Sequence, residues 1–257
     1  MSDPRLQLRA RSATEIVDAA FQLFRRDPLT YVLVAALGYA PLLVVQLVAL
    51  GPATQLEEQM ARMTAGYMAV MLVGYWVSLS LMSAVIVRLS SEDYLGRHME
   101  PSVAVRDALG RLPVVMGGLL VKYLMIFLGT LLFIVGMLWV MARYFAVTAA
   151  IVLEGRGVSA ALDRSATLSR GQKMHILGTS LLAFLIFFVL YFAVAIVGAM
   201  TASNVVTTVL TTAASIVAYP MFAITEMLLY YDARVRNEGY DIELMAEGLG
   251  GVAPVAE

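Results

Sequence analysis

Six long apolar segments, separated by short charged connectors, constrain this chain more than any other feature of its sequence. They lie near residues 29–50, 63–87, 113–135, 137–153, 176–200 and 205–231. A bilayer core about 30 Å thick requires about 20 apolar residues in a helix, and each segment approaches or exceeds that length. Because lipid offers backbone groups no hydrogen-bond partners, such segments cross it as helices.

The composition supports the same class of protein. Of the 257 residues, 60% are hydrophobic and 14% are charged, which leaves too little polar surface for a water-soluble fold. We therefore predict an all-α polytopic membrane helix bundle with six transmembrane helices, formed by residues 1–245 as a single domain. Residues 246–257 are predicted to be a flexible C-terminal tail.

The third and fourth segments form the least certain hairpin. Only Gly136 separates 113–135 from 137–153, so a polar turn is missing. Two alternatives remain open at this point: the hairpin spans the bilayer, or it is broken or re-entrant.

The distribution of basic residues predicts the orientation. Fifteen Arg and Lys residues precede the first segment, follow the sixth, or lie between the second and third or the fourth and fifth. The other connectors carry only Arg62. Since basic residues remain on the cytoplasmic side, both termini are predicted to be cytoplasmic.

A short amphipathic helix is predicted before the first, third and fifth segments. Ser12 and Glu15 have the spacing of a capping box at the start of the first helix, and Ser102 and Ser159 begin the other two. The pattern indicates either internal repeats or independent interfacial anchors. Seven basic residues near these helices are predicted to form a collar that contacts anionic headgroups: Arg25, Arg26, Arg106, Arg111, Arg164, Arg170 and Lys173.

Three ionisable residues inside the segments are candidates for a functional site, because charges in hydrocarbon are costly. They are Lys122, Arg143 and Glu226. One interpretation is an ion pair, or side chains that reach the interface. Another is a net positive pocket for an anionic lipid headgroup, with hydroxyl groups from Tyr123, Tyr144, Tyr219 and Thr225 nearby. A transport pathway would use the same charges.

Motifs for catalysis are missing from the sequence. It contains no His-Glu-x-x-His, no Gly-x-Ser-x-Gly, no phosphate-binding glycine loop and no cysteine. His98, close to Glu92, Asp93 and Glu100, is a weak metal candidate, and a solvated loop is the favoured interpretation. The sequence therefore predicts neither an enzyme nor a cofactor.

Several motifs resemble the bacterial membrane domain of glycerophosphoryl diester phosphodiesterases and its free-standing relatives. They are Val152-Leu153-Glu154-Gly155, Ala161-Leu162-Asp163-Arg164-Ser165, Leu168-Ser169-Arg170-Gly171, Tyr230-Tyr231-Asp232-Ala233-Arg234-Val235-Arg236, and the stretch from Glu15 to Arg26. The resemblance implies a multi-pass module of the bacterial inner membrane. In that family the catalytic activity belongs to a separate soluble domain, so hydrolysis is not implied here.

These observations favour a non-enzymatic integral membrane protein. We expect an accessory or scaffold module that contacts anionic phospholipid or a partner membrane protein, with no role in nucleic-acid binding. The alternative is a transporter or permease-like protein for a small solute or a lipid.

Overall fold

A computed structural model describes residues 9–50 and 56–243 of the chain, and this part is helical without strands. Its ten helices are α1 (Ala13–Arg26), α2 (Pro28–Leu50), α3 (Leu56–Arg62), α4 (Ala65–Tyr94), α5 (Pro101–Thr130), α6 (Phe133–Arg143), α7 (Val147–Glu154), α8 (Val158–Leu168), α9 (Lys173–Met200) and α10 (Asn204–Glu238). The predicted tail, 246–257, lies outside the described residues.

Six helical stretches are long and apolar enough to cross a membrane. They are α2, α4, α5, α6 together with α7, α9 and α10. Large apolar side chains cover the outside of the bundle: Leu37, Val48 and Met200 are each at least 74% exposed. Such an apolar surface is unfavourable in water and favourable in hydrocarbon. The predicted class, a polytopic bundle of transmembrane helices, is confirmed.

Both ends of the described chain meet at one end of the bundle, which we call the collar end. The Asp232 carboxylate on α10 accepts a hydrogen bond from the Arg11 backbone amide at 2.7 Å. It also contacts Nε2 of His175 at 3.0 Å and Nε of Arg236 at 2.8 Å. This buried carboxylate therefore joins the segment that enters α1 to the ends of α9 and α10.

Two of the three predicted amphipathic helices are separate elements at this end. Helix α1 begins with the predicted capping box of Ser12 and Glu15. Helix α8 begins at Val158, one residue before the predicted Ser159. The expectation of a separate helix from Ser102 was wrong, because α5 continues from Pro101 through Pro113 to Thr130. A proline removes one backbone hydrogen bond, but the helix continues past Pro113 without a break.

The predicted boundaries of the third and fourth segments also need correction. The turn lies at Leu131 and Leu132, and Gly136 is inside α6. A Cβ atom on Gly136 would lie 2.5 Å from the carbonyl oxygen of Gly129, so this glycine lets α6 approach α5 closely. The fourth segment is not one helix either, since it is interrupted between Arg143 and Val147.

Candidate functional site

The interruption between α6 and α7 frees backbone groups in the bundle interior, and a serine on α8 satisfies two of them. The Ser165 hydroxyl donates to the Arg143 carbonyl at 3.0 Å and accepts from the Ala146 amide at 3.0 Å. Ser165 is fully buried. Because buried backbone groups need partners, this side chain allows the helix to break at this point.

The same interruption contributes to the placement of Lys122, which extends from α5. Its Nζ lies 3.0 Å from Oε1 of Glu226 on α10 and 3.5 Å from the Phe145 carbonyl oxygen. The side chain of Lys122 is 12% exposed and that of Glu226 is 27% exposed. One of the predicted interpretations, an ion pair between helices, thus matches the geometry of these two residues.

A cavity of about 530 Å³ surrounds this ion pair. Its walls come from α4, α5, α6, α7, α9 and α10 and are largely apolar, with Leu119, Phe145 and Phe222 among them. The polar groups in the wall are Lys122, Glu226, Tyr123, Tyr219, Thr225, Thr148, Ser83 and Ser180. A mainly apolar cavity of this size with a few polar groups is typical of a small-molecule site.

Part of the cavity wall, its rim, is exposed on the outside of the bundle, mainly on α6 and α9 and also at Tyr123 of α5, which is 42% exposed. Met141 on α6 is 36% exposed, and Leu181 and Phe184 on α9 are 47% and 53% exposed. These rim residues are apolar except for the Tyr123 hydroxyl, and they lie within segments long enough to span a membrane. The rim therefore belongs to the apolar outer surface of the bundle.

Of the three predicted intramembrane charges, Arg143 lies apart from the other two. Its guanidinium stacks over the ring of Trp139, 5.2 Å from the centroid, and its Nε lies 3.4 Å from the Tyr144 hydroxyl. The Nζ of Lys173, at the start of α9, lies 5.3 Å from the same Trp139 centroid. The cavity therefore contains a neutral pair, whereas the interpretation as a net positive pocket required two cations and one anion there.

Among the predicted collar residues, Arg164 is engaged inside the protein. It pairs with Glu154 at 2.7 Å and also with Glu238. The Tyr230 hydroxyl donates to Glu154 at 2.7 Å. Hydrogen bonding to Glu238 and Glu154 raises the pKa of the Arg164 guanidinium, despite partial burial. Glu154, Arg164 and Tyr230 come from three of the motifs quoted above, so those motifs meet in one network.

The remaining collar residues are spread over the collar end. Arg106 and Arg111 line one cleft together with Arg88, and Asp107 lies 3.8 Å from Arg88. Exposed residues of the set include Arg25, Arg26 and Arg170, whereas Lys173 is half-buried. Two of these arginines have partners within the protein, since Arg88 also pairs with Glu92 at 3.4 Å and Arg111 donates to the Ile151 carbonyl at 3.1 Å.

The weak metal candidate around His98 has no support from the geometry. Glu92 pairs with Arg88 and Arg97, and Asp93 accepts the Tyr31 hydroxyl at 2.7 Å. Across residues 9–50 and 56–243, no three potential ligands form a metal site.

Two important side chains were missed by the sequence analysis, Ser165 and Thr148. Ser165 appeared only as part of a motif, and its proximity to Arg143 and Ala146 follows from the fold. Thr148 belongs to the cavity wall, and its hydroxyl oxygen is buried without a hydrogen-bond partner within the described part of the chain. A lone threonine in an apolar segment gives no signal in a sequence.

Comparison with curated proteins and with solved structures gave no match. A family model matches residues 115–233, and its description is the membrane domain of glycerophosphoryl diester phosphodiesterase. The match covers the ion pair, Ser165, Thr148 and the Glu154, Arg164 and Tyr230 part of the network, but not Glu238. It also leaves out α1, whose motif contributed to the expected resemblance. Residues 115–233 therefore carry the sequence pattern of the membrane domain of glycerophosphoryl diester phosphodiesterase, as the motifs from Val152 onward predicted.

Proposed function

We propose that this membrane protein is a non-enzymatic accessory module that holds a lipid-like amphiphile in the cavity around Lys122 and Glu226. The observation that carries the proposal is the cavity itself, with its apolar wall, its polar groups and its largely apolar rim, mainly on α6 and α9. An apolar tail fits such a wall, and a polar head fits the ion pair. The family match concerns a membrane domain, which gives no support for catalysis.

The collar forms the second part of the proposal. Arg106 and Arg111 are exposed beside one cleft at the collar end, and this supports contact with anionic headgroups there. The positive-inside rule supports a cytoplasmic collar and cytoplasmic termini in a bacterial inner membrane. Juxtamembrane basic residues contribute about 1 kcal/mol each to such contacts.

The cavity is tested by filling it. Ser180 lies in its wall on α9, so Ser180→Trp should displace the bound amphiphile by occupying its space. The matched control is Ala193→Trp on the exposed face of the same helix. Native mass spectrometry of gently solubilised protein would show a retained amphiphile in the wild type and in Ala193→Trp, and its loss in Ser180→Trp.

Two results would contradict the proposal. Wild-type protein that retains no amphiphile would leave a scaffold for a partner membrane protein as the better interpretation. Equal retention in Ser180→Trp would place the amphiphile outside the cavity.

The interruption between α6 and α7 favours a second candidate, movement of lipid between leaflets. Many transporters place their substrate beside a discontinuous helix, and Phe145 in this interruption lines the cavity. Proteoliposomes with a fluorescent lipid and a membrane-impermeant quencher would test it. The quencher reaches only the outer leaflet, so movement between leaflets exposes all of the fluorescent lipid to it. Complete loss of fluorescence with the wild type and loss of half with Ser180→Trp would support movement. Loss of half with both proteins would favour a module that only holds lipid.

A further inference from the structure

The polar corner of the cavity has hydrogen-bonding groups left over. A lysine ammonium has three donors, and the described residues give Lys122 two acceptors, Glu226 and the Phe145 carbonyl. The Glu226 carboxylate accepts one hydrogen bond within the described residues, from Lys122 through Oε1. One donor and one carboxylate oxygen therefore remain for a ligand.

The charge balance restricts the head of this ligand. Lys122 and Glu226 neutralise each other, and Arg143 lies outside the lining of the cavity. An anionic head would have to compete with the Glu226 carboxylate in a site of low polarity, and a cationic head with Lys122. A head without net charge fits if it both donates and accepts hydrogen bonds.

We propose that the cavity selects an amphiphile with no net charge whose head both donates and accepts hydrogen bonds, such as a hydroxyl or phosphoethanolamine head. This inference rests on the proposed function. The acceptor on the ligand meets Lys122, and the donor meets Glu226.

Single-chain lipids with one oleoyl chain provide the test. The probes are monooleoylglycerol, which is neutral, oleoyl lysophosphatidylethanolamine, which is zwitterionic, and oleoyl lysophosphatidate, which is anionic. Only binding that Ser180→Trp abolishes is counted, since this excludes lipid on the collar. We expect the first two to outcompete lysophosphatidate about tenfold, the ratio that about 1.4 kcal/mol produces.

Charge variants make the test specific. Glu226→Gln leaves Lys122 uncompensated, so the preference should reverse in favour of lysophosphatidate. The exchange Lys122→Glu with Glu226→Lys restores a neutral pair and should restore the preference for uncharged heads. If Glu226→Gln unfolds, the exchange variant still tests the inference against the wild type.

The possible failures are distinguishable. A wild type that prefers lysophosphatidate in the cavity overturns the inference on the head but leaves the cavity as an amphiphile site. A preference that does not change in Glu226→Gln overturns it as well. If the Ser180→Trp variant binds every probe as well as the wild type does, the proposed function itself is overturned.

Discussion

At the scale of single residues, Ser165 shows how one hydroxyl permits an irregular backbone inside the bundle. It bonds the Arg143 carbonyl and the Ala146 amide, which face each other across the interruption. Without this side chain, both groups would be buried without a partner. The interruption contributes the Phe145 carbonyl to Lys122, so Ser165 positions the site without contacting the ligand.

We therefore predict that Ser165→Ala destabilises the protein by about 1–3 kcal/mol, the cost of unsatisfied buried polar groups. The measurement is the denaturant midpoint of the protein in detergent. Ser169→Ala is the matched control, since Ser169 is equally buried but donates only to Ala166 in its own turn. Equal losses in the two variants would mean that the contacts across the interruption have no special role.

At the scale of elements, the hairpin of α5 and α6 depends on the contact between Gly129 and Gly136. A Cβ atom on Gly136 would lie 2.5 Å from the Gly129 carbonyl oxygen, a backbone atom that cannot move aside as a side chain can. Leu131, Leu132 and Phe133 at its tip are at least 70% exposed and apolar. The hairpin is thus closely packed next to its turn and hydrophobic at its tip.

Gly136→Ala should separate the two helices and destabilise the protein by about 1–3 kcal/mol through overpacking. Gly178→Ala on α9 is the control, because a Cβ atom there meets no atom within 4 Å. Its expected effect has the opposite sign, a gain of up to about 1 kcal/mol from helix propensity. Denaturant midpoints compare the two, and a neutral Gly136→Ala would contradict the close contact.

The hairpin tip should be less accessible to water than the other turns. From Lys122, α5 continues only 8 residues to Thr130, about 12 Å, whereas α10 extends 22 residues from Glu226 back to Asn204, about 33 Å. The chain has no cysteine, so single cysteines can be introduced cleanly. We expect an impermeant maleimide to label Met200→Cys strongly and Leu132→Cys weakly. Equal labelling would mean that the hairpin reaches the aqueous face.

The capping box of α1 predicts a pH dependence for this helix. The hydrogen bond from the Ser12 backbone amide, followed by that from Arg9, lowers the pKa of Glu15 from 4.5 to about 2. The pKa of Glu15 is lower in the folded protein than in the unfolded chain. The stability that its carboxylate gives to α1 is therefore complete above the unfolded pKa, and it is lost as the pH falls from about 4.5 to about 2.

Hydrogen exchange of the first-turn amides of α1, corrected for intrinsic rates, would measure this loss. Protection should decrease between pH 4.5 and pH 2 in the wild type and remain flat in Glu15→Gln, which keeps a neutral capping side chain. The same decrease in both proteins would assign the effect to another carboxylate.

At the scale of the whole molecule, the buried Asp232 joins the chain near α1 to the ends of α9 and α10, so both described ends lie at the collar end. Labelling of whole cells tests their proposed cytoplasmic side. With a reagent outside the inner membrane, Met63→Cys at the opposite end should react, whereas Arg97→Cys at the collar end should react only after permeabilisation. The reverse pattern would contradict the proposed orientation.

The collar predicts how the protein interacts with anionic vesicles. Loss of Arg106 or Arg111, each replaced by Gln, should weaken retention about fivefold at about 1 kcal/mol per residue. Arg62→Gln at the opposite end removes the same charge and should change nothing in oriented proteoliposomes. If all three variants weaken retention on anionic vesicles equally, the cause is the net charge of the protein and not the position of the collar.

The sequence by itself determined the membrane class, the number of candidate spans and the cap of α1. These are local properties, because hydropathy needs only a window of residues and a cap needs only Ser12 and Glu15. Tertiary structure alone decided that Lys122 meets Glu226, 104 residues away, while Arg143 stacks on Trp139. Hydropathy sets the depth of a charge but not the rotation of its helix, so it cannot say which charges face each other. The interruption before Val147 depends on Ser165 from another helix, and no local pattern encodes that contact.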